Sequence, residues 1–198
     1  MTAATTTYRL PVDGYGKRTT GWWGMVMLIA TEATLFAYLL FSYFYLMSLT
    51  RGPWPRSGNP SLGLTLPNTI LLLVSSGTMW WAESGIRRGG QGRLRAGLLV
   101  TFLLGVIFLV IQSVEYRHLR FLPQTDAYGS LFYTITGFHG AHVAVGLLMN
   151  LVIQARAWVG HFTAERHLAV TNTAWYWHFV DIVWLAVFTS LYLSPRFL

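Results

Sequence analysis

Cysteine is absent from the 198 residues of this chain. Neither a disulfide framework nor a thiolate metal site is open to it, and its compartment leaves no mark in thiols. Charge is scarce as well: 11% of the residues are charged and 54% are hydrophobic, whereas soluble domains carry about 25% charged residues. So little polar surface cannot cover a globule of this size in water, and the composition is that of an integral membrane protein. Acidic residues are few, 7 against 14 Lys and Arg, for a formal net charge of +7. The basic residues are scattered between apolar runs rather than gathered in a stripe. That suits arginines flanking membrane spans and not a nucleic-acid footprint.

Other signals are missing too. Residues 1–20 hold no apolar h-region, so the first apolar run is expected to stay as a start-transfer and anchor helix. No run alternates with period two, which argues against a β-barrel. No connection is long enough for a separate soluble domain, and no repeat of solenoid period is present.

What is present is five long apolar runs, at about residues 22–49, 66–86, 96–116, 129–155 and 172–193. A hydrocarbon core of ~30 Å needs ~20 helical residues, and only a helix satisfies its own backbone within one open segment. The expected fold is therefore all-α: a polytopic bundle of five transmembrane helices forming one domain, 22–198, after a polar tail, 1–21. The first run exceeds the minimum span, which licenses tilt. Residues 50–65 hold three prolines and three glycines, and no helix is expected to cross them. Trp22, Trp23, Trp80, Trp81, Trp158, Trp175 and Trp177 lie near run ends, as interfacial aromatics do; plain packing is the competing account. Nine Lys and Arg fall on the N-terminal side: Arg9, Lys17, Arg18, Arg87, Arg88, Arg93, Arg95, Arg156 and Arg166. Five fall on the other: Arg51, Arg56, Arg117, Arg120 and Arg196. The positive-inside rule then puts the N-terminus in the cytoplasm and the C-terminus outside.

Several ionisable residues interrupt the runs. The stretch WYWHFVDIVW, residues 175–184, places His178 and Asp181 on one helix face. Glu32 lies roughly 15 Å into the first run at 1.5 Å per residue, and Asp181 roughly 14 Å into the fifth. Both runs start on the same side, so Glu32, His178 and Asp181 are expected at similar depth. His139 and His142, in GFHGAHV, sit on the fourth run, which travels the other way, and are assigned to the outer half. Gln112 and Glu115 lie towards the outer end of the third run, and Glu83 near the inner end of the second. Gly137, Gly140, Ala141, Ala144 and Gly146 form a small-residue stripe suited to close helix approach.

Three uses compete for these groups. Histidines and carboxylates can bind a metal or haem, but no HExxH and no set of histidine boxes is present. Protonatable groups can form a relay centred on Glu32, but the inverted repeats of autonomous transporters are missing. They can also bond helices, a partner subunit or lipid headgroups, where each bond averages well under ~1 kcal/mol. On the residues alone the third use leads.

The motifs together are more specific. ATEATLFAYLLFSYFY (30–45), GPWP (52–55), LPNTILLLVSSG (66–77), VIQSVEY (110–116), YGSLFY (128–133), GFHGAHV and WYWHFVDIVW occur in the order found in one family. The chain resembles subunit III of haem-copper terminal oxidases, the cytochrome c oxidase subunit 3 family, in a short five-helix form. The resemblance implies a non-redox subunit, with no catalytic residue, metal or cofactor of its own. It would be an enzyme only as part of a multi-subunit oxidase. Haem and copper would lie in subunit I, its main contact, with subunit II in the same complex. The implied role is to support subunit I, which reduces dioxygen and pumps protons, through stability, phospholipid binding and proton uptake. Glu32, His142, His178 and Asp181 match the family's buried polar positions, with His139, Glu115 and His167 behind them. The same short form occurs in quinol oxidases and in an accessory protein of nitric oxide reductases, and nothing here separates them. The expected location is a bacterial inner membrane.

Two departures stand out. Longer family members have seven helices, and this chain resembles the last five, so one wall of their lipid cleft falls to extra helices of subunit I or to nothing. Many members also have a glutamate where this chain has Thr171, which unsettles lipid contact at that end.

Overall fold

A computed structural model describes residues 20–55, 60–119 and 121–197. Arg9, Lys17, Arg18, Arg56 and Arg120, part of the charge count above, lie outside the described residues, as does nearly all of the polar tail. The described residues are helical, with no strand among them. Five helices are long and apolar enough to cross a membrane: α1 (Thr20–Leu49), α2 (Leu62–Arg87), α3 (Gln91–His118), α4 (Ala127–Trp158) and α5 (Leu168–Phe188). A π-turn, Thr189–Leu193, and a last short helix, α6 (Ser194–Phe197), prolong α5.

The helices extend past the apolar runs because polar residues at membrane edges can stay helical. α2 starts at Leu62 rather than 66, with Ser61 Oγ accepting from the Gly63 amide at 3.2 Å. Pro67 then falls inside α2. Its missing N–H removes one bond, to the Gly63 carbonyl, close to an end where few bonds depend on it. α2 and α3 form a tight hairpin: the Gly90 amide reaches the Gly85 carbonyl at 2.9 Å, and Gly89 has φ +76°, a conformation open to glycine. α4 begins with Asp126 Oδ1 accepting from the Gly129 amide at 2.7 Å.

Packing order follows burial. α5 lies against α1, α2 and α4, while α3 bridges α2 and α4. α5 buries eleven residues; α1 buries only Phe36 and Tyr43 among the described residues and packs mainly on α4 and α5. Trp177 is the centre of the core, 1% exposed. A Cβ at Gly105 of α3 would stand 2.7 Å from its ring, and one at Gly146 of α4 would stand 2.9 Å from it. The indole is thus clamped between two glycines, and its N–H donates to Ser75 Oγ on α2 at 3.0 Å.

Two expectations change. Trp177 belongs to the core rather than to an interfacial belt, because those two glycines admit an indole and Ser75 satisfies its polar edge. Of the three glycines in the small-residue stripe, Gly137 has no neighbour within 4 Å and Gly140 only Leu109 at 3.8 Å, so Gly146 is the one that needs to be small.

Candidate functional site: the intramembrane polar groups

The ionisable residues fall into separate places. Glu32 of α1 meets His142 of α4, Oε2 to Nε2 at 2.9 Å. The His142 Nδ1 lies 2.7 Å from the Phe138 carbonyl, an oxygen that can only accept, so Nδ1 carries a proton. The contact to Glu32 then requires one more proton, either on Nε2 as imidazolium or on the carboxyl. The pair is neutral overall in either form, which is how a carboxylate is tolerated in an apolar medium. Glu32 and His142 keep 27% and 13% of their side-chain surface. They sit in a shallow groove with Leu28, Phe138, Ala141, Val145 and Tyr176. The Tyr176 hydroxyl donates to the His142 carbonyl at 3.2 Å and ties α5 to the same spot.

This corrects the depth argument. The equal depth of Glu32, His178 and Asp181 does not bring them together; the HxxH pair, expected in the outer half, supplies the partner of Glu32 instead. His142 is the sixteenth of the 32 residues of α4, the middle of the span, and Glu32 is the thirteenth of 30 in α1. Helices running in opposite directions meet at their centres, and α1 lies beside α4.

His178 turns the other way. Its Nδ1 is 2.6 Å from Ser76 Oγ on α2. Asp181 adjoins Ser76 as well, but is 3% exposed and neither oxygen has a hydrogen-bond partner among the described residues. His139 shares a helix face with His142 yet faces inward. It is 1% exposed in an aromatic box, its ring 4.7 Å from Trp184, 5.8 Å from Phe108 and 6.4 Å from Phe36. Both its nitrogens are unpartnered. Glu115 is buried at the other end of α2, accepting from or donating to Thr65 Oγ1 at 2.6 Å. His167 stands at the start of α5, where its carbonyl accepts from the Val170 amide at 2.9 Å. Among the described residues, no three His, Asp or Glu side chains converge as a metal-ligand set.

Sequence reasoning missed the hydroxyl ladder that receives these groups. Trp184 Nε1 donates to Thr69 Oγ1 at 3.0 Å, Trp177 to Ser75, and Thr78 meets Thr101 of α3 at 2.7 Å. The signal was there: α2 carries Thr65, Thr69, Ser75, Ser76 and Thr78 at near-helical spacing inside an apolar run.

Outside the membrane spans, the Glu165 carboxyl is held below its ordinary value. The Thr163 hydroxyl bond, 2.9 Å, is the main cause, with a backbone bond adding to it.

The polar groups lie apart: Glu32 pairs with His142 and His178 with Ser76, Asp181 and His139 make no hydrogen bond among the described residues, and a ladder of hydroxyls runs between helices. The chain's relatives give them a context. The family described as cytochrome c oxidase subunit III matches residues 17–195. This chain belongs to the cytochrome c oxidase subunit III family. It is 38% identical over 193 residues to cytochrome c oxidase subunit 3 of Hippopotamus amphibius, covering 93% of this chain and 72% of that protein. With the subunit 3 of Rattus norvegicus it shares 36% over 178 residues, 86% of this chain and 68% of the rat protein. The Drosophila yakuba subunit 3 gives the same identity over the same shares. Membership makes the chain a subunit of a multi-subunit oxidase, an oxidoreductase complex of a respiratory membrane. The polar groups are then groups of a membrane subunit whose family works inside a larger assembly.

Proposed function

We propose that this chain is the non-redox subunit III of a proton-pumping haem-copper oxygen reductase. It packs on subunit I, which holds the haem and copper, in a complex with subunit II. It lies in a bacterial cell membrane with its N-terminus on the cytoplasmic side. Its work is to keep the pumping subunit supplied with protons and stable over many turnovers, with phospholipid bound along its surface.

The observation that carries this reading is the Glu32–His142 pair. It is neutral by its hydrogen-bond inventory, sits at the middle of two spans, and opens to a surface groove rather than to a closed core. Within such a pair the proton can move between carboxyl and imidazole without creating net charge in lipid, and the groove gives it a route to the surface. The exposed apolar length of α1, with Met27, Tyr38 and Phe41 each at least 60% exposed, supports cover by lipid or by a neighbouring subunit.

The experiment is Glu32→Gln in the purified oxidase. Oxygen reduction should begin at a measurable rate and then decline in fewer turnovers than in the unaltered enzyme. Unchanged durability together with an unchanged proton-to-electron ratio would sink the proposal. Loss of haem incorporation would move the role to assembly. The co-purifying subunit II identifies the donor: a copper-binding cupredoxin domain means cytochrome c, and one without those ligands means quinol.

A further inference from the structure

The outer end of α2 and α3 holds a second polar cluster, remote in sequence and contacts from Glu32 and His142. Glu115 and Gln112 project from α3, Thr65 and Asn68 from α2, and Tyr192 from the π-turn after α5. All five are at most 4% exposed. They are nevertheless short of partners. Glu115 Oε2, both Gln112 side-chain atoms, Asn68 Oδ1 and the Tyr192 hydroxyl make no hydrogen bond among the described residues. The Gln112 amide and the Tyr192 hydroxyl adjoin the Glu115 carboxyl, but none of these approaches has hydrogen-bonding geometry. Buried polar atoms in such number are ordinarily satisfied by an internal water, which needs two to four polar partners.

Proton counting adds a second observation. The Thr65 hydroxyl has one proton to give. It lies 3.0 Å from the Ser61 carbonyl, which can only accept, and 2.6 Å from Glu115 Oε1. Short of sharing that one proton between two acceptors, both contacts are full hydrogen bonds when Glu115 itself carries a proton and donates it to Thr65 across the shorter one. No cation pairs with Glu115 among the described residues, and an unpaired carboxylate at this burial would be costly in a membrane.

The backbone is shaped to suit. The chain leaves α-helical geometry for a π-turn at Thr189–Leu193, and π-turns gather at functional sites. This one sets the Tyr192 hydroxyl against Glu115, while Trp184, two turns earlier, bonds Thr69 of the same helix α2.

We propose that Glu115, Gln112 and Tyr192 form an internal water site, with Glu115 present as the carboxylic acid donating to Thr65. The site is a proton-bearing, hydrated node near the end of the bundle where α2 starts. It does not depend on which oxidase the chain serves.

The test takes the membrane complex that holds the chain, in lipid, at a resolution that shows ordered water. Density for a water within hydrogen-bonding distance of Glu115, Gln112 and Tyr192 is expected. Infrared spectra of the same complex with isotope-labelled glutamate should show a carboxylic C=O band that disappears in Glu115→Gln and shifts in Tyr192→Phe. Direct Tyr192–Glu115 and Gln112–Glu115 bonds with no water density would overturn the proposal. So would a Glu115→Gln spectrum that loses only carboxylate intensity. If Glu115→Gln fails to assemble, the unaltered map and the Tyr192→Phe band decide.

Discussion

Gly146→Ala is the sharpest perturbation the packing offers. The new Cβ would stand 2.9 and 3.0 Å from two carbons of the Trp177 ring and 3.4 Å from Tyr176. Carbon atoms prefer about 3.5–4.0 Å, so the ring must retreat by roughly 0.5–1 Å on that spacing. It has nowhere to go. Its far edge already meets the Gly105 position, where a Cβ would be 2.7 Å away, and its N–H is tethered to Ser75 at 3.0 Å. α4 and α5 must separate instead, and overpacking of this kind costs about 1–3 kcal/mol. Helix propensity acts the other way, since alanine is favoured over glycine by up to ~1 kcal/mol in a helix interior. Gly137→Ala separates the two effects: it lies on the same helix with no neighbour within 4 Å, and should be neutral or slightly stabilising. The assay is reversible unfolding in mixed detergent micelles, followed by Trp fluorescence, for both variants and for Gly146→Ala combined with Trp177→Phe. The smaller ring should recover part of the loss in the double variant. Equal stability of Gly146→Ala and Gly137→Ala would refute the clamp.

Other outcomes follow from the bonds between helices. A double-mutant cycle of Glu32→Gln and His142→Phe should give a coupling of about 0.5–2 kcal/mol in detergent unfolding, the range of interhelical bonds in membranes; strict additivity would mean that α1 is held by apolar contact alone. Trp184→Phe frees Thr69 Oγ1 from its indole donor and should destabilise by about 1–3 kcal/mol, the range for a buried group losing its partner, and Thr69→Val added to it should cost little more. For Glu165, whose carboxyl is held down by the Thr163 hydroxyl, the folded value lies below the unfolded one. Its small contribution is therefore present above the unfolded value, near pH ~4.3, and fades as pH falls through the folded one. Thr163→Ala should return its NMR titration midpoint towards that of an ordinary glutamate.

The number of spans was legible because apolar runs of sufficient length, separated by Pro- and Gly-rich links, leave helices as the only solution. The ends were less so: α3 begins at Gln91, well before its apolar run, because GQGRLR can be helical at a polar interface and hydropathy is blind to that. The residues of interest were legible as types, an ionisable side chain in a span being conspicuous. Their pairing was not. Depth along a run is one coordinate, whereas partners depend on which helices are neighbours and how each is rotated. Glu32 and Asp181 looked level, but α1 meets α4 with that face, and Asp181 turns towards α2. Trp177 shows the same limit: position near a run end suggested an interface, and only Gly105 and Gly146, on two other helices, make it a core residue.

The lightly packed position of α1 has a consequence for synthesis. Its partners are α4 and α5, and Glu32 waits for a histidine 110 residues further along the chain. At ~5–20 residues per second, that delay is on the order of ten seconds. During it α1 must hold its place in the bilayer with an unpaired acid at mid-span. A group of that kind opposes insertion by ~3 kcal/mol on translocon scales, so the leucines, phenylalanines and tyrosines that the finished bundle leaves uncovered are what keep the first helix in the membrane until the fourth arrives. The surface that awaits lipid or a neighbouring subunit in the folded chain thus has an earlier use in insertion, and polar substitutions there should lower the yield of the subunit.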